Sequence, residues 1–116
     1  MSVYVIVQGR VENQELLDQY VAKAGSTIKS HQGRTIAFDE NPEVVEGKIE
    51  NPRTVIVEFP SMTAFREWYH SPEYQEILPL RLKSTPGTLV VARFPAVLIA
   101  ACQAAAQLTD WPASPD

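Results

Sequence analysis

"RTVIVEFPSMTAFREWYHSPEYQEI" occupies residues 53–77, and how it is divided decides the fold. Residues 53–59 form a β-branched, alternating run, the pattern of a half-buried strand. Val55, Val57 and Phe59 share one face, and Thr54, Ile56 and Glu58 share the other. Pro60 stops the strand, and Ser61 caps a helix over residues 62–69. Ser71–Pro72 starts the chain again, a Ser N-cap followed by Pro at the first helical position. Phe65, Trp68 and Tyr69 fall at helical spacing and pack on the sheet, with Tyr74 and Ile77 joining from the next turn. The crowded stretch "WYHSPEYQEI" is thus mainly a helix junction with an aromatic core. Tyr69 is set apart, because its hydroxyl can face a cleft with Arg81 nearby as an anion donor.

Working outward, "VYVIVQ" (3–8) reads as a strand ending at Gly9, with Val3, Val5 and Val7 on one face. Residues 13–30 read as a helix capped by Asn13, with Leu16, Leu17, Tyr20, Val21, Ala24 and Ile28 as its apolar stripe. Gly25 is expected to end or bend it. "GRTIAF" (33–38) is a second strand, and residues 39–52 are a surface excursion with a short extended piece at Val44–Val45. Residues 73–84 give further helical turns interrupted around Pro79, and "GTLVVARF" (87–94) is the last strand.

The order β-α-β-β-α-β specifies an α+β, ferredoxin-like unit: a four-stranded antiparallel sheet with helices on one face. The other face, carrying Tyr4, Ile6, Gln8, Ile56 and Glu58, is left bare, and a second copy is its simplest cover. A homodimer is expected. Residues 1–94 form this domain, and residues 95–116 an additional Ala-rich helix and tail. Val97, Ala101, Ala104 and Leu108 lie on one stripe of that helix, which either docks on the domain or builds a higher-order contact through residues 96–110.

Composition bounds the function. The 116 residues are 45% hydrophobic and 21% charged, with a net charge of −4 and no basic run. Nucleic acid and anionic membranes need a basic footprint and are not expected partners. The apolar stretch after residue 95 is too short to span a bilayer. Cys102 is alone, which excludes an intrachain disulfide, and residues 1–10 read as a strand instead of a leader. A cytoplasmic location is expected.

Four pieces of the chain, "HQGRTIAF", "VVEG", "RTVIVEFPS" and "FREWYHSPEYQEILPLR", resemble a family of unknown function, number 1330, in the dimeric α/β-barrel superfamily. The resemblance covers approximately residues 2–94. It implies a ferredoxin-like protomer whose sheet joins a second in a dimeric barrel, and it implies no particular reaction. The positions matching the family's pattern are His31, Gly33, Arg34, Glu46, Gly47 and Arg53, followed by Glu58, Trp68, Tyr69, Ser71, Tyr74 and Arg81. Three places depart from it. Gln32 replaces the first Gly of a pair, Phe38 stands near a common Arg, and Arg93–Phe94 replaces a frequent Glu-Gly.

Glu58 is the leading candidate for chemistry, since a carboxylate inside a barrel is either a general acid/base, a ligand anchor or one half of an ion pair with Arg34, Arg53 or Arg93. His31 is a weaker acid/base candidate, or it bonds backbone in the turn before a strand. Arg34, Arg53 and Arg81 are candidates to hold a ligand carboxylate, with Tyr69 beside them. His70 and Glu73 have metal-like spacing, but Ser71–Pro72 breaks the helix that would align them, so no metal site is expected. Cys102 reads as a small buried hydrophobe, and no glycine-rich phosphate loop or other cofactor motif is present. The function expected is binding of a small organic molecule between sheet and helices, a carboxylate or an aromatic compound, with cofactor-free acid/base chemistry if any. The alternative is a non-catalytic assembly module built on the C-terminal helix.

Overall fold

The computed structural model describes residues 2–93. Cys102, Trp111 and the C-terminal helix expected over residues 95–116 lie outside the described residues. The elements follow as β1 (Val3–Gly9), α1 (Gln14–Ser30), β2 (Arg34–Asp39), β3 (Arg53–Phe59), α2 (Met62–Tyr69), α3 (Pro72–Ser84) and β4 (Gly87–Arg93). The four strands form one sheet in the order β2-β3-β1-β4, every neighbouring pair antiparallel. This is the ferredoxin-like arrangement that the order of elements implied.

The period-2 pattern of the central strands decides what is buried. Val3, Val5, Val57 and Phe59 lie under the helices at 3% exposure or less, together with Leu17, Ala24 and Ile28 from α1 and Trp68, Tyr74 and Ile77 from α2 and α3. Phe59 and Trp68 stack with ring centroids 5.3 Å apart, and Trp68 and Tyr74 with centroids 4.0 Å apart. The Trp68 indole N–H donates to Thr27 Oγ1 at 3.0 Å, so the polar edge of the largest core ring is satisfied.

The three helix starts are local chemistry. Asn13, Ser61 and Ser71 are N-caps whose side chains accept from the backbone N–H of Leu16, Ala64 and Tyr74, and Pro72 opens α3. Other expectations needed tertiary context. α1 runs unbroken through Gly25 to Ser30, because Ala24, Thr27 and Ile28 on its later turns are buried and hold it helical. α3 also continues through Pro79, which sits on its exposed side, where an unpaired carbonyl meets water. Val44–Val45 forms no strand, and Val45 is 83% exposed.

The end of α1 explains one departure from the family pattern. Gln32 N–H donates to Lys29 O and Gly33 N–H to Ile28 O, the paired bonds of a Schellman cap. That cap puts Gln32 in the left-handed region at φ 69°, where glycine is favoured. Gly33 follows at close quarters: a Cβ there would stand 2.7 Å from both Ile28 Cγ2 and Phe59 Cε1. Replacing Gln32 with Gly is therefore expected to raise stability by about 1 kcal/mol. Gly33→Ala is expected to lower it, and urea unfolding of the two variants beside wild type measures both.

Candidate functional site

The helices do not fill all the space above the sheet. Near Arg53, at the start of β3, a cavity of about 100 Å³ remains between α1, α3 and the strands. Its floor is Val5, Val7, Val55, Val57 and Leu89, and its roof is Leu17, Tyr20, Ala24 and Ile28 from α1. Trp68 and Tyr74 close its inner side, while Arg53, Arg81 and the hydroxyl of Tyr20 bring the charge and polarity. A small, mostly apolar chamber with a few convergent polar groups is the usual form of a ligand site.

Those polar groups are arranged in a chain. Arg81 Nε donates to Tyr74 Oη at 3.1 Å, and Tyr74 Oη lies 3.0 Å from Tyr20 Oη. The two hydroxyls own two protons and their mutual hydrogen bond uses one. The other is free for an acceptor, whichever tyrosine carries it. Burial pushes the Tyr20 phenol well above its ordinary pKa, with Tyr74 adding to the effect against Arg81 and Arg53. Tyr20 is thus a neutral hydrogen-bond donor, not a phenolate base.

Arg53 is the second donor. It is 7% exposed, and its Nε is buried without a hydrogen-bond partner among the described residues. Its guanidinium carbon stands 4.8 Å from the centroid of Phe38, a cation–π contact. Burial lowers the Arg53 pKa, Glu40 and Tyr20 oppose the shift, and a guanidinium remains charged at neutral pH. Leaving a buried donor unmatched costs about 1–3 kcal/mol.

The candidate residues divide between the two faces of the sheet. Arg53 and Arg81 come together at the cavity. Glu58 and Arg34 lie opposite one another on β3 and β2, on the open face, joined by a 2.8 Å ion pair. Strand alternation places Arg53 on the helix-facing side, so of the three arginines considered for Glu58 it is Arg34 that reaches it. The hydrogen bond from Arg34 holds the Glu58 carboxyl below its ordinary pKa, with a smaller opposing effect of desolvation. Glu58 is therefore a carboxylate at neutral pH and no reservoir of protons. His31 caps α1, with Nδ1 2.9 Å from Thr27 O, away from the cavity. Tyr69 packs its ring against Phe65 and Tyr74 and does not line the cavity; the tyrosine beside Arg81 is Tyr74, two helical turns earlier on the same helix. Sequence spacing assigns Tyr74 and Tyr20 to apolar packing, although the hydroxyl within each apolar stripe is a visible signal.

Among the described residues no three His, Cys, Asp or Glu side chains are grouped to hold a metal ion. Nor is any described helix long and apolar enough to cross a membrane.

With this geometry in view, the chain belongs to the family described as domain of unknown function DUF1330, whose model matches residues 2–95. No curated protein matches it. A dimeric ferredoxin-like protein of unknown function from Jannaschia sp. CCS1 superposes with a TM-score of 0.64 at 13% identity, over 81% of this chain and 100% of that one. A hydroxynitrile lyase from Passiflora edulis gives 0.59 at 18% identity, covering 81% and 97%. SnoaB, a cofactor-independent oxygenase from Streptomyces nogalater, gives 0.55 at 13% identity, covering 82% and 96%. At these identities the likeness is one of fold.

The Glu58–Arg34 pair has a testable pH dependence. Its carboxyl pKa is lower folded than unfolded, so the stabilisation is full above the unfolded value and is lost as pH falls through the folded one. Wild type should unfold at a higher temperature than Glu58→Gln at about pH 6, and the gap should close by about pH 2.5. Thermal melts of both proteins across that range measure it.

Proposed function

We propose that this chain is a small-molecule-binding protein whose ligand sits in the cavity under α1, with an acceptor group, a carboxylate or a conjugated carbonyl, at Arg53 and the Tyr20–Tyr74 pair. One observation carries this reading: an otherwise apolar chamber contains donors in excess of acceptors, among them the buried, unpartnered Arg53 Nε. The apolar walls suit an aromatic or short aliphatic body, and the guanidinium suits an anionic end.

If a reaction occurs, the donors stabilise negative charge developing on a ligand oxygen, as an enolate or oxyanion would require. No cofactor is needed for that step. The fold is shared with a lyase and with a cofactor-independent oxygenase, which is consistent with such chemistry. Glu58 is assigned to the open face, as the ion-pair partner of Arg34 in place of the acid/base role, because it points away from the cavity.

The working unit is a cytoplasmic homodimer joined through the open face of the sheet. Ala37, Ile56, Ile6 and Val90 form an apolar row across all four strands, Val90 being 52% exposed. The dimeric neighbour of the same fold supports this reading. Ile56→Asp places a charge in the centre of that row and should halve the mass seen by light scattering; an unchanged mass would move the interface elsewhere.

The binding test is a titration of isotope-labelled protein with benzoate, followed by amide chemical shifts. Shifts centred on Arg53, Tyr20, Tyr74 and Arg81 are expected, and Arg53→Met should weaken binding by about tenfold or more, the worth of a charge-assisted hydrogen bond. Shifts centred instead on Tyr4, Ile6 and Glu58 would place the site on the open face and end this proposal.

A further inference from the structure

Two hollows meet at Arg53. The inner one is the cavity of about 100 Å³, and the outer is a solvent-facing groove of about 330 Å³ between α1 and the end of β2. Leu17, Val21, Phe38 and Arg53 line both, so these four side chains form the wall that the groove and the cavity share. Leu17 and Arg53 are buried, at 2% and 7% exposure. Val21 and Phe38 are open, at 44% and 51%. Val21 is β-branched on a regular helix, where its rotamer is nearly fixed. Phe38 is the long, half-exposed side chain on an edge strand, next to the last residue of β2.

Phe38 joins that wall because of a bulge. Thr35 pairs with Val57 but Ala37 pairs with Ile56, so Ile36 is an extra residue in β2. Plain alternation from Arg34, which is on the open face beside Glu58, would put Phe38 on that same face. The extra residue reverses the side, and Phe38 comes opposite Val55, over the guanidinium of Arg53. Bulges commonly re-aim a side chain beside a site.

We propose that Phe38 is the gate of the cavity, swinging off Arg53 to admit a ligand between α1 and β2 and closing again over its carboxylate-binding end. This rests on the cavity being the ligand site. The cation–π contact holds the closed position, and a bound anion competes for the same guanidinium, so occupancy and gate position are coupled at one residue. Glu40 and Asp18 line the outer groove. Their charge opposes polyanions more strongly than single charges at the entrance, which favours monoanionic acids and their neutral carbonyl relatives.

The gate can be tested without knowing the ligand. Trp68 lines the inner cavity and is 2% exposed. In a Trp111→Phe background it is the sole tryptophan, and acrylamide, a small neutral quencher, reports access to it. Phe38→Ala should raise the quenching constant severalfold with little change in the thermal midpoint, since a half-exposed ring on an edge strand contributes little to the core. Phe38→Leu, which keeps bulk but removes the π-face, should fall between Ala and wild type. Leu82→Ala, an exposed side chain of α3 that lines neither hollow, should leave quenching at the wild-type value. Equal quenching in wild type and Phe38→Ala would overturn the gate, as would an increase that only tracks a lost melting transition. Benzoate binding is scored separately: a gate confirmed by acrylamide in a protein that ignores benzoate would refute the ligand class and leave the entrance standing.

Discussion

Covering one side of the β3–β1 pair is the constraint on which the rest of the molecule depends. Val3, Val5, Val57 and Phe59 all face that side and are almost wholly removed from water. Each such side chain contributes about 1.5–3 kcal/mol when buried, so two helical layers have to be held over them. The Asn13, Ser61 and Ser71 caps set where those helices begin, and the Schellman turn at His31–Gly33 delivers the chain from α1 back to the sheet edge. Phe59 ties the layers together, touching Trp68 and Phe65 above it and leaving no space for a side chain at Gly33.

The same covering is incomplete at one end, and there the chemistry changes sign. The helix-facing pattern of β3 runs Phe59, Val57, Val55 and then Arg53, so the last inward position carries a cation instead of a hydrocarbon. Arg81 arrives from α3 with its Nε engaged on Tyr74, and Tyr20 completes the hydroxyl pair. No carboxylate is hydrogen-bonded to Arg53 or Arg81 among the described residues, and burial keeps Tyr20 protonated. A core end built of donors is costly for folding alone and useful for holding an acceptor. The buried Arg53 Nε has no hydrogen-bond partner among the described residues, and the proposed ligand site rests on it.

The open face follows a different logic. There the outer rows are polar, with Arg34–Glu58 at one end and the Gln8–Thr54 hydrogen bond at the other, and the middle row is apolar. A carboxylate paired with an exposed guanidinium adds little to stability, whereas an apolar stripe between polar margins has the composition of an interface. In the proposed function the two faces divide the labour of the protein: association on one, small-molecule binding on the other.

Much of this was legible in the chain itself. Alternation over residues 3–8 and 53–59, the cap residues and the Ser71–Pro72 restart act over two to four positions, and local interactions of that range are written directly into sequence. They determined the element order, the sheet and the candidacy of Arg53 and Arg81. Tertiary structure alone decided that α1 survives Gly25 and α3 survives Pro79, since buried contacts outweigh a single weak helix residue. It also decided the candidate site. Tyr20 meets Tyr74 across 54 positions, and the register shift at Ile36 turns Phe38 to Arg53 instead of leaving it beside Arg34. Neither is recoverable from spacing, because a strand's side-to-side pattern is reset by one unpaired residue, and that residue is chosen by how the whole edge strand docks on its neighbour.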